Sequence, residues 1–166
     1  MTLFIPQGSE GFVSLESGSV SLRNILIPVD HSPDPQIAVD GAMALAHALA
    51  QSPAQSQECR SMTFTLLHVG EEDRFPKVVI SEREIWRWKT VCKKGNVERQ
   101  ILQAADECRA DLIVMATRGH HGFLDALRGS TTERIVRNSK CPVLALPAYG
   151  DDHPLHQESP VWRPAA

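Results

Sequence analysis

The stretch DLIVMAT, Asp111 to Thr117, decides the fold. Leu112 to Ala116 is unbroken apolar chain with β-branched Ile113 and Val114 at its centre, and it lacks the polar alternation of a half-solvated strand. Such a run predicts a short strand buried on both faces, as in the middle of a parallel sheet. The same signature recurs on either side. NILIPV (Asn24 to Val29) ends at Asp30 in the turn-rich DHSPDP, TFTLLHV (Thr63 to Val69) ends in acidic residues, and PVLALP (Pro142 to Pro147) closes the series.

Helical stripes lie between these runs. Asp34 stands as a cap with Pro35 at the first helical position, and Ile37, Ala38, Gly41, Ala42, Leu45, Ala46 and Leu49 then mark one face up to about Ala50. Asn96 caps a second stripe, Val97, Ile101, Ala104, Ala105 and Cys108, which ends near Ala110. Ser130 and Glu133 have capping-box spacing at the start of a third helix, stopped by Cys141 and Pro142. From Gly70 to Gly95 no stripe exists: Pro76 breaks it, KVVI (Lys77 to Ile80) and EIWRWKTV (Glu84 to Val91) look extended, and SERE between them suits a turn. A short hairpin in place of one helix, leading into a strand, is expected there.

Alternation of this kind predicts an α/β fold, a doubly wound open parallel sheet of five strands with helices on both faces. Counted from the Asn24 strand, its expected order is 3-2-1-4-5. At 166 residues a single domain is the default. It is expected from Arg23 to Pro147, after an extension (residues 1–22) with one short strand around Gly11 to Leu15, and before a mobile tail (148–166) rich in Pro, His and Asp.

Composition narrows the function. Seventeen Lys and Arg against twenty Asp and Glu give a net charge of −3, which argues against a nucleic-acid partner. No apolar run approaches the roughly 18 residues of a membrane span, so a cytoplasmic protein is expected. Cys59, Cys92, Cys108 and Cys141 show no Cys-x-x-Cys spacing and read as idle or core thiols.

In open sheets of this class a ligand lies beyond the carboxyl ends of the strands, which singles out the loop holding Asp30 and the loop from Gly119 to Ser130. Gly119, Gly122 and Gly129 allow close approach of backbone to an anion, and Ser130 stands where the next helix exposes unpaired N–H groups. Arg118 and Arg128 flank the loop as candidate phosphate contacts. The spacing is neither that of a Walker loop nor that of a dinucleotide fingerprint. His120 and His121 form a tempting pair without a third ligand, so no metal site is expected. His68, in an apolar strand, reads as a buried, hydrogen-bonded imidazole, and Trp86 and Trp88 share one strand face, covering either a groove or a partner surface.

The loop resembles that of the universal stress proteins, whose nucleotide-binding members carry Gly-x-x-Gly, nine residues, then Gly-Ser or Gly-Thr. Here the second glycine falls on Gly119, the nine residues are His120 to Arg128, the closing pair is Gly129-Ser130, and the first glycine falls on Ala116. The resemblance runs from Arg23 to Pro147. It implies an adenine nucleotide, ATP or AMP with or without Mg²⁺. Asp30 and the backbone at Val69 would face the adenine end, Pro28 and Met115 would be apolar walls, and Ala116 would stand in the first glycine's place. Gly119, Gly129 and Ser130, with Thr131 beside them, would be at the phosphates. It also implies a homodimer through the last strand, Pro142 to Pro147, and a protein partner of unstated identity.

The leading expectation is a small nucleotide-binding regulatory module with no catalytic residue. One alternative is a slow ATPase or phosphotransfer enzyme, with Asp30 positioning Mg²⁺ or water and His120 or His121 receiving a phosphoryl group; the missing lysine speaks against it. The other is a nucleotide-free dimeric scaffold with the tryptophans as its contact surface.

Overall fold

The computed structural model describes residues 1–6, 12, 20–50, 62–80, 86–118 and 130–148. Its elements are β1 (Thr2–Phe4), β2 (Asn24–Pro28), α1 (Pro35–Ala50), β3 (Thr63–Val69), β4 (Arg87–Lys93), α2 (Val97–Cys108), β5 (Leu112–Arg118), α3 (Ser130–Asn138) and β6 (Val143–Ala148). The sheet has six strands in the order β1-β6-β5-β2-β3-β4. From β4 to β6 every neighbouring pair is parallel, in the order expected for five strands. The sixth strand is β1, which pairs antiparallel with β6.

The expected caps are in place at two helices. Asp34 Oδ1 accepts from Gln36 N at 2.9 Å ahead of α1, and Asn96 Oδ1 accepts from Arg99 N at 3.0 Å ahead of α2. In α3 the Glu133 carboxylate accepts from Arg137 Nη2 at 2.9 Å, one turn on, and the Ser130 side chain of the expected capping box lies outside the described residues.

Two apolar clusters sandwich the sheet. On one face Ile25, Ile27, Phe64, Leu66, Val114 and Leu144 pack against Ala38, Val39, Ala42 and Ala46 of α1. On the other, Leu26, Leu67, Ile113, Met115 and Val143 meet Ile101, Ala104 and Ala105 of α2 and Ile135 of α3. The small residues of α1 let it lie close to the strands; a Cβ at Gly41 would overlap the Leu146 side chain.

A single helix does not cover the first face, and the chain from Phe75 onward completes it. Phe75, Val78 and Ile80 pack on this cluster, as do buried Trp86 and half-buried Trp88. Trp88 stacks on Phe64 with centroids 4.5 Å apart, and Trp86 lies between Phe64 (5.2 Å) and His47 (4.8 Å). The tryptophans are therefore core under α1, not an exposed contact surface. Lys77 to Ile80 also departs from expectation, because it is not a hairpin strand. The Gln36 side chain satisfies the Val79 backbone on both sides, accepting from its N–H at 2.8 Å and donating to its carbonyl at 3.0 Å, as a strand partner would. The expected turn between the two segments falls largely on residues 81–85, outside the described residues.

The stretch 1–22 joins the fold wherever it is described. Leu22 is fully buried, Phe12 and Val20 are buried in the α1-side cluster, and Ser21 N donates to the Phe12 carbonyl at 2.8 Å. The strand expected around Gly11 to Leu15 lies, apart from Phe12, outside the described residues, as does the tail beyond Ala148. The β6 edge through which a homodimer is expected is occupied by β1 of the same chain. Among the described residues no helix is long and apolar enough to cross a membrane.

Asp111 fixes the centre of the sheet. Its Oδ2 accepts from both Arg23 N and Asn24 N at 2.8 Å, while its own N–H donates to the Asn24 carbonyl at 2.8 Å. Asp111→Ala is therefore expected to cost about 1.5–3 kcal/mol, the range for hydrogen bonds to a charged group. Asp106→Ala, which removes only the exposed pair with Lys140, should cost at most about 1 kcal/mol. Urea midpoints of the two variants decide the matter, and equal losses would contradict the role given to Asp111.

Candidate functional site

A pocket of about 320 Å³ opens at the carboxyl ends of the parallel strands, on the side covered by α2 and α3. That volume falls within the range of small-molecule sites. Leu67, Ile101 and Met115 form an apolar floor, Pro28, Val69 and Val97 continue it as walls, and the rim carries Asp30, Arg118, Thr131 and Thr132.

Strand alternation explains who faces the cavity. Along β3, Leu67 and Val69 line it, while His68 points to the other face of the sheet. There His68 is buried, and its Nδ1 lies 3.2 Å from the Val29 carbonyl, an acceptor only, so Nδ1 carries the proton. This contact and the bond from Val29 N to the Leu67 carbonyl at 2.8 Å hold the end of β2 directly before Asp30. His31, whose Nε2 is 2.9 Å from the Arg74 carbonyl, meets the His68 ring edge-on at 6.0 Å, with Phe75 on another side of His68 at 5.8 Å. Gly70 closes this arrangement, since a Cβ there would run into the His68 ring.

Asp30 is exposed at the rim, and its Oδ1 accepts from the backbone N–H of the next residue, His31, at 2.8 Å. Asp30 and Arg118 are the charged groups among the described lining residues. The start of α3 adds the positive end of a helix beside Thr131 and Thr132. Thr117, buried next to Arg118, donates from Oγ1 to the Leu146 carbonyl at 3.5 Å and ties the end of β5 to β6.

Of the residues singled out in the sequence, the structure brings Pro28, Asp30, Val69, Met115, Ala116, Arg118 and Thr131 around this one cavity. Ser130 begins α3, and its side chain is outside the described residues together with Gly119, Arg128, Gly129, His120 and His121. Ala116 lies opposite Leu146 in the β5–β6 ladder and packs with the α1-side cluster, whereas Met115 faces the α2 side. Sequence reasoning missed Leu67, Val97, Ile101 and Thr132. The first three carry the same apolar periodicity as core residues; the sole available signal for Thr132 was its place in the Ser130-Thr131-Thr132 run.

Burial pushes the Cys108 and Cys141 thiols above their ordinary range, so both hold less thiolate at neutral pH than a solvated cysteine. Among the described residues no group of three His, Cys, Asp or Glu side chains is placed to hold a metal ion.

The Universal stress protein family model matches residues 21–147. A universal stress protein of Methanocaldococcus jannaschii is 39% identical over 72 residues, 42% of this chain and 42% of that one. Another, from Synechocystis, is 29% identical over 144 residues, 78% of this chain and 88% of that one. A solved universal stress protein from Archaeoglobus fulgidus superposes with a TM-score of 0.54 at 19% identity, over 75% of this chain and 44% of that one, a likeness of fold. The matched region thus spans less than half the length of the Methanocaldococcus and Archaeoglobus proteins.

The packing of His68 on Gly70 has a measurable signature. Gly70→Ala alone should lower stability by about 1–3 kcal/mol through overpacking. In a His68→Ala background the obstructing ring is gone, and the same substitution should cost less than about 0.5 kcal/mol. A double-mutant cycle from denaturant midpoints measures the coupling; strictly additive losses would remove the contact as the cause.

Proposed function

We propose that this chain, which belongs to the universal stress protein family, binds an adenine nucleotide, ATP or AMP, in the pocket at the strand ends and acts as a regulatory module in a stress response. One observation carries the reading: seven residues chosen from the sequence, spread from Pro28 to Thr131, line a single cavity.

The polarity of that cavity suits the ligand. Its floor of Leu67, Ile101 and Met115, walled by Pro28 and Val69, offers apolar surface to a flat base. Asp30 supplies a carboxylate for amino or hydroxyl donors of a base or ribose. Arg118, the hydroxyls of Thr131 and Thr132 and the amino end of α3 supply positive charge and donors for phosphate, on the β5 side of the pocket. Gly119, Gly129 and Ser130, the loop glycines and the serine at the head of α3, belong to the same proposal as further phosphate contacts. The Ala116 methyl is no obstacle in this reading, since it packs toward the α1 side.

Calorimetric titration of ATP, AMP and Mg²⁺-ATP, with melting curves in excess nucleotide, tests the proposal. A micromolar site, about −8 kcal/mol, saturated a hundredfold should stabilise the fold by roughly 2.7 kcal/mol and raise the Tm by roughly 5–11 °C. Asp30→Ala is expected to weaken binding about tenfold or more, and Ala116→Gly to change it less than about threefold. No heat and no shift with any of the three would overturn nucleotide binding. Steady release of phosphate from ATP, absent with Asp30→Ala, would replace the regulatory reading by an enzymatic one.

A further inference from the structure

β3 departs from its apolar pattern at one buried position. Strand alternation puts Phe64, Leu66 and His68 on the α1 face, where the first two are packed apolar core. His68 is 4% exposed there, so an apolar side chain would suit the position better unless the imidazole has a hydrogen bond to make. Among the described residues that bond is the one from Nδ1 to the Val29 carbonyl, 3.2 Å away.

The carbonyl it reaches belongs to the peptide that links Val29 to Asp30. The β2–β3 register ends one residue earlier, at Pro28↔Leu67. Val29 N still donates to the Leu67 carbonyl at 2.8 Å, and the imidazole takes hold of the other side of the same residue. Both backbone groups of Val29 are thereby fixed to β3, and with them the peptide plane from which the Asp30 Cα departs. On the other side of Asp30, His31 Nε2 lies 2.9 Å from the Arg74 carbonyl. Asp30 itself is exposed, and among the described residues its carboxylate accepts from the adjacent His31 N–H alone. Its place at the rim is therefore set by the backbone on either side of it and not by packing. The His68 ring is seated in turn by Phe75 at 5.8 Å and His31 at 6.0 Å, and Gly70 leaves room for it where a Cβ would overlap Nε2.

We propose that His68 is the positioning residue for Asp30: from the face of the sheet opposite the pocket, it holds the Val29–Asp30 peptide so that the carboxylate meets the donors of the ligand. The proposal rests on the nucleotide reading of the pocket. Its physical basis is preorganisation. A carboxylate on a fixed backbone loses little freedom when a base or ribose binds, whereas one on a released peptide has to be ordered by the ligand. His68 is not among the lining residues, so its effect on binding passes through Asp30.

A double-mutant cycle in nucleotide affinity tests this, by calorimetric titration of AMP and ATP with a melting curve for every variant. His68→Leu keeps apolar volume and removes the donor. His68→Asn keeps an N–H one bond from Cγ, where Nδ1 stands, and His68→Gln moves it one bond farther. With Asp30 present, His68→Leu should weaken binding about fivefold and His68→Asn less than about twofold. In the Asp30→Ala background both should change affinity by less than about twofold, while any loss of Tm persists. A ring that only packs gives a lower Tm with unchanged affinity, or equal losses of affinity with and without Asp30, and either result overturns the proposal. In the ligand-free protein, nitrogen–proton NMR correlation should place the His68 proton on Nδ1, and an Nε2–H tautomer overturns it as well. If His68→Leu does not fold, the two amides carry the test: Gln should bind about fivefold more weakly than Asn, and equal affinities refute the role. Wild-type protein that binds neither nucleotide sinks the nucleotide reading and this proposal with it; a wild type that binds, with additive losses in the cycle, sinks this proposal alone.

Discussion

One carboxylate sets the register on which the functional end of the sheet depends. Asp111 Oδ2 accepts the backbone N–H groups of Arg23 and Asn24, residues far away in sequence, and thereby pins β2 against β5 at their starting ends. In a sheet buried on both faces, a slip of one residue would turn every core side chain to the wrong side. With Ile25 level with Leu112 and Leu26 with Ile113, the same two strands deliver Asp30 and Ala116 to Arg118 together at the far end. The pocket is a downstream result of that pinning.

The two faces are covered by different means, and the difference bears on function. The α2–α3 face is covered by two helices, and both contribute residues to the cavity at the strand ends. The α1 face relies on a helix of small residues supplemented by Phe75, Val78, Ile80 and the two tryptophans. That supplement puts Phe75 against His68, and His68 against the Val29 carbonyl. Packing on the α1 face thus reaches the loop that carries Asp30 at the pocket.

Much of the architecture was legible. Four apolar runs with β-branched residues and the extended look of EIWRWKTV identified the five parallel strands, the Pro35 and Asn96 signals located two helix starts, and the alternation of elements ordered the sheet. What escaped did so for physical reasons. β1 is three residues long, too short for any period to register. Lys77 to Ile80 has β-branched content, but its hydrogen-bonding partner is the side chain of Gln36, which no local pattern announces. The role of Asp111 is a contact across more than half the chain. For the site, residues near turns, such as Asp30 and Thr131, stood out by chemistry. Leu67 and Ile101 did not, because a pocket floor and a core position share one hydropathy pattern.

The pairing of β1 with β6 also bears on how the protein is made. Translation delivers Leu3 well before its partner Leu144, which emerges after the other strands. Contacts so distant in sequence form late and slow the folding of the whole. During synthesis the apolar segment around β1 therefore waits exposed outside the ribosome, a natural client for chaperones that bind nascent chains. Sealing of the β6 edge then follows the synthesis of β6.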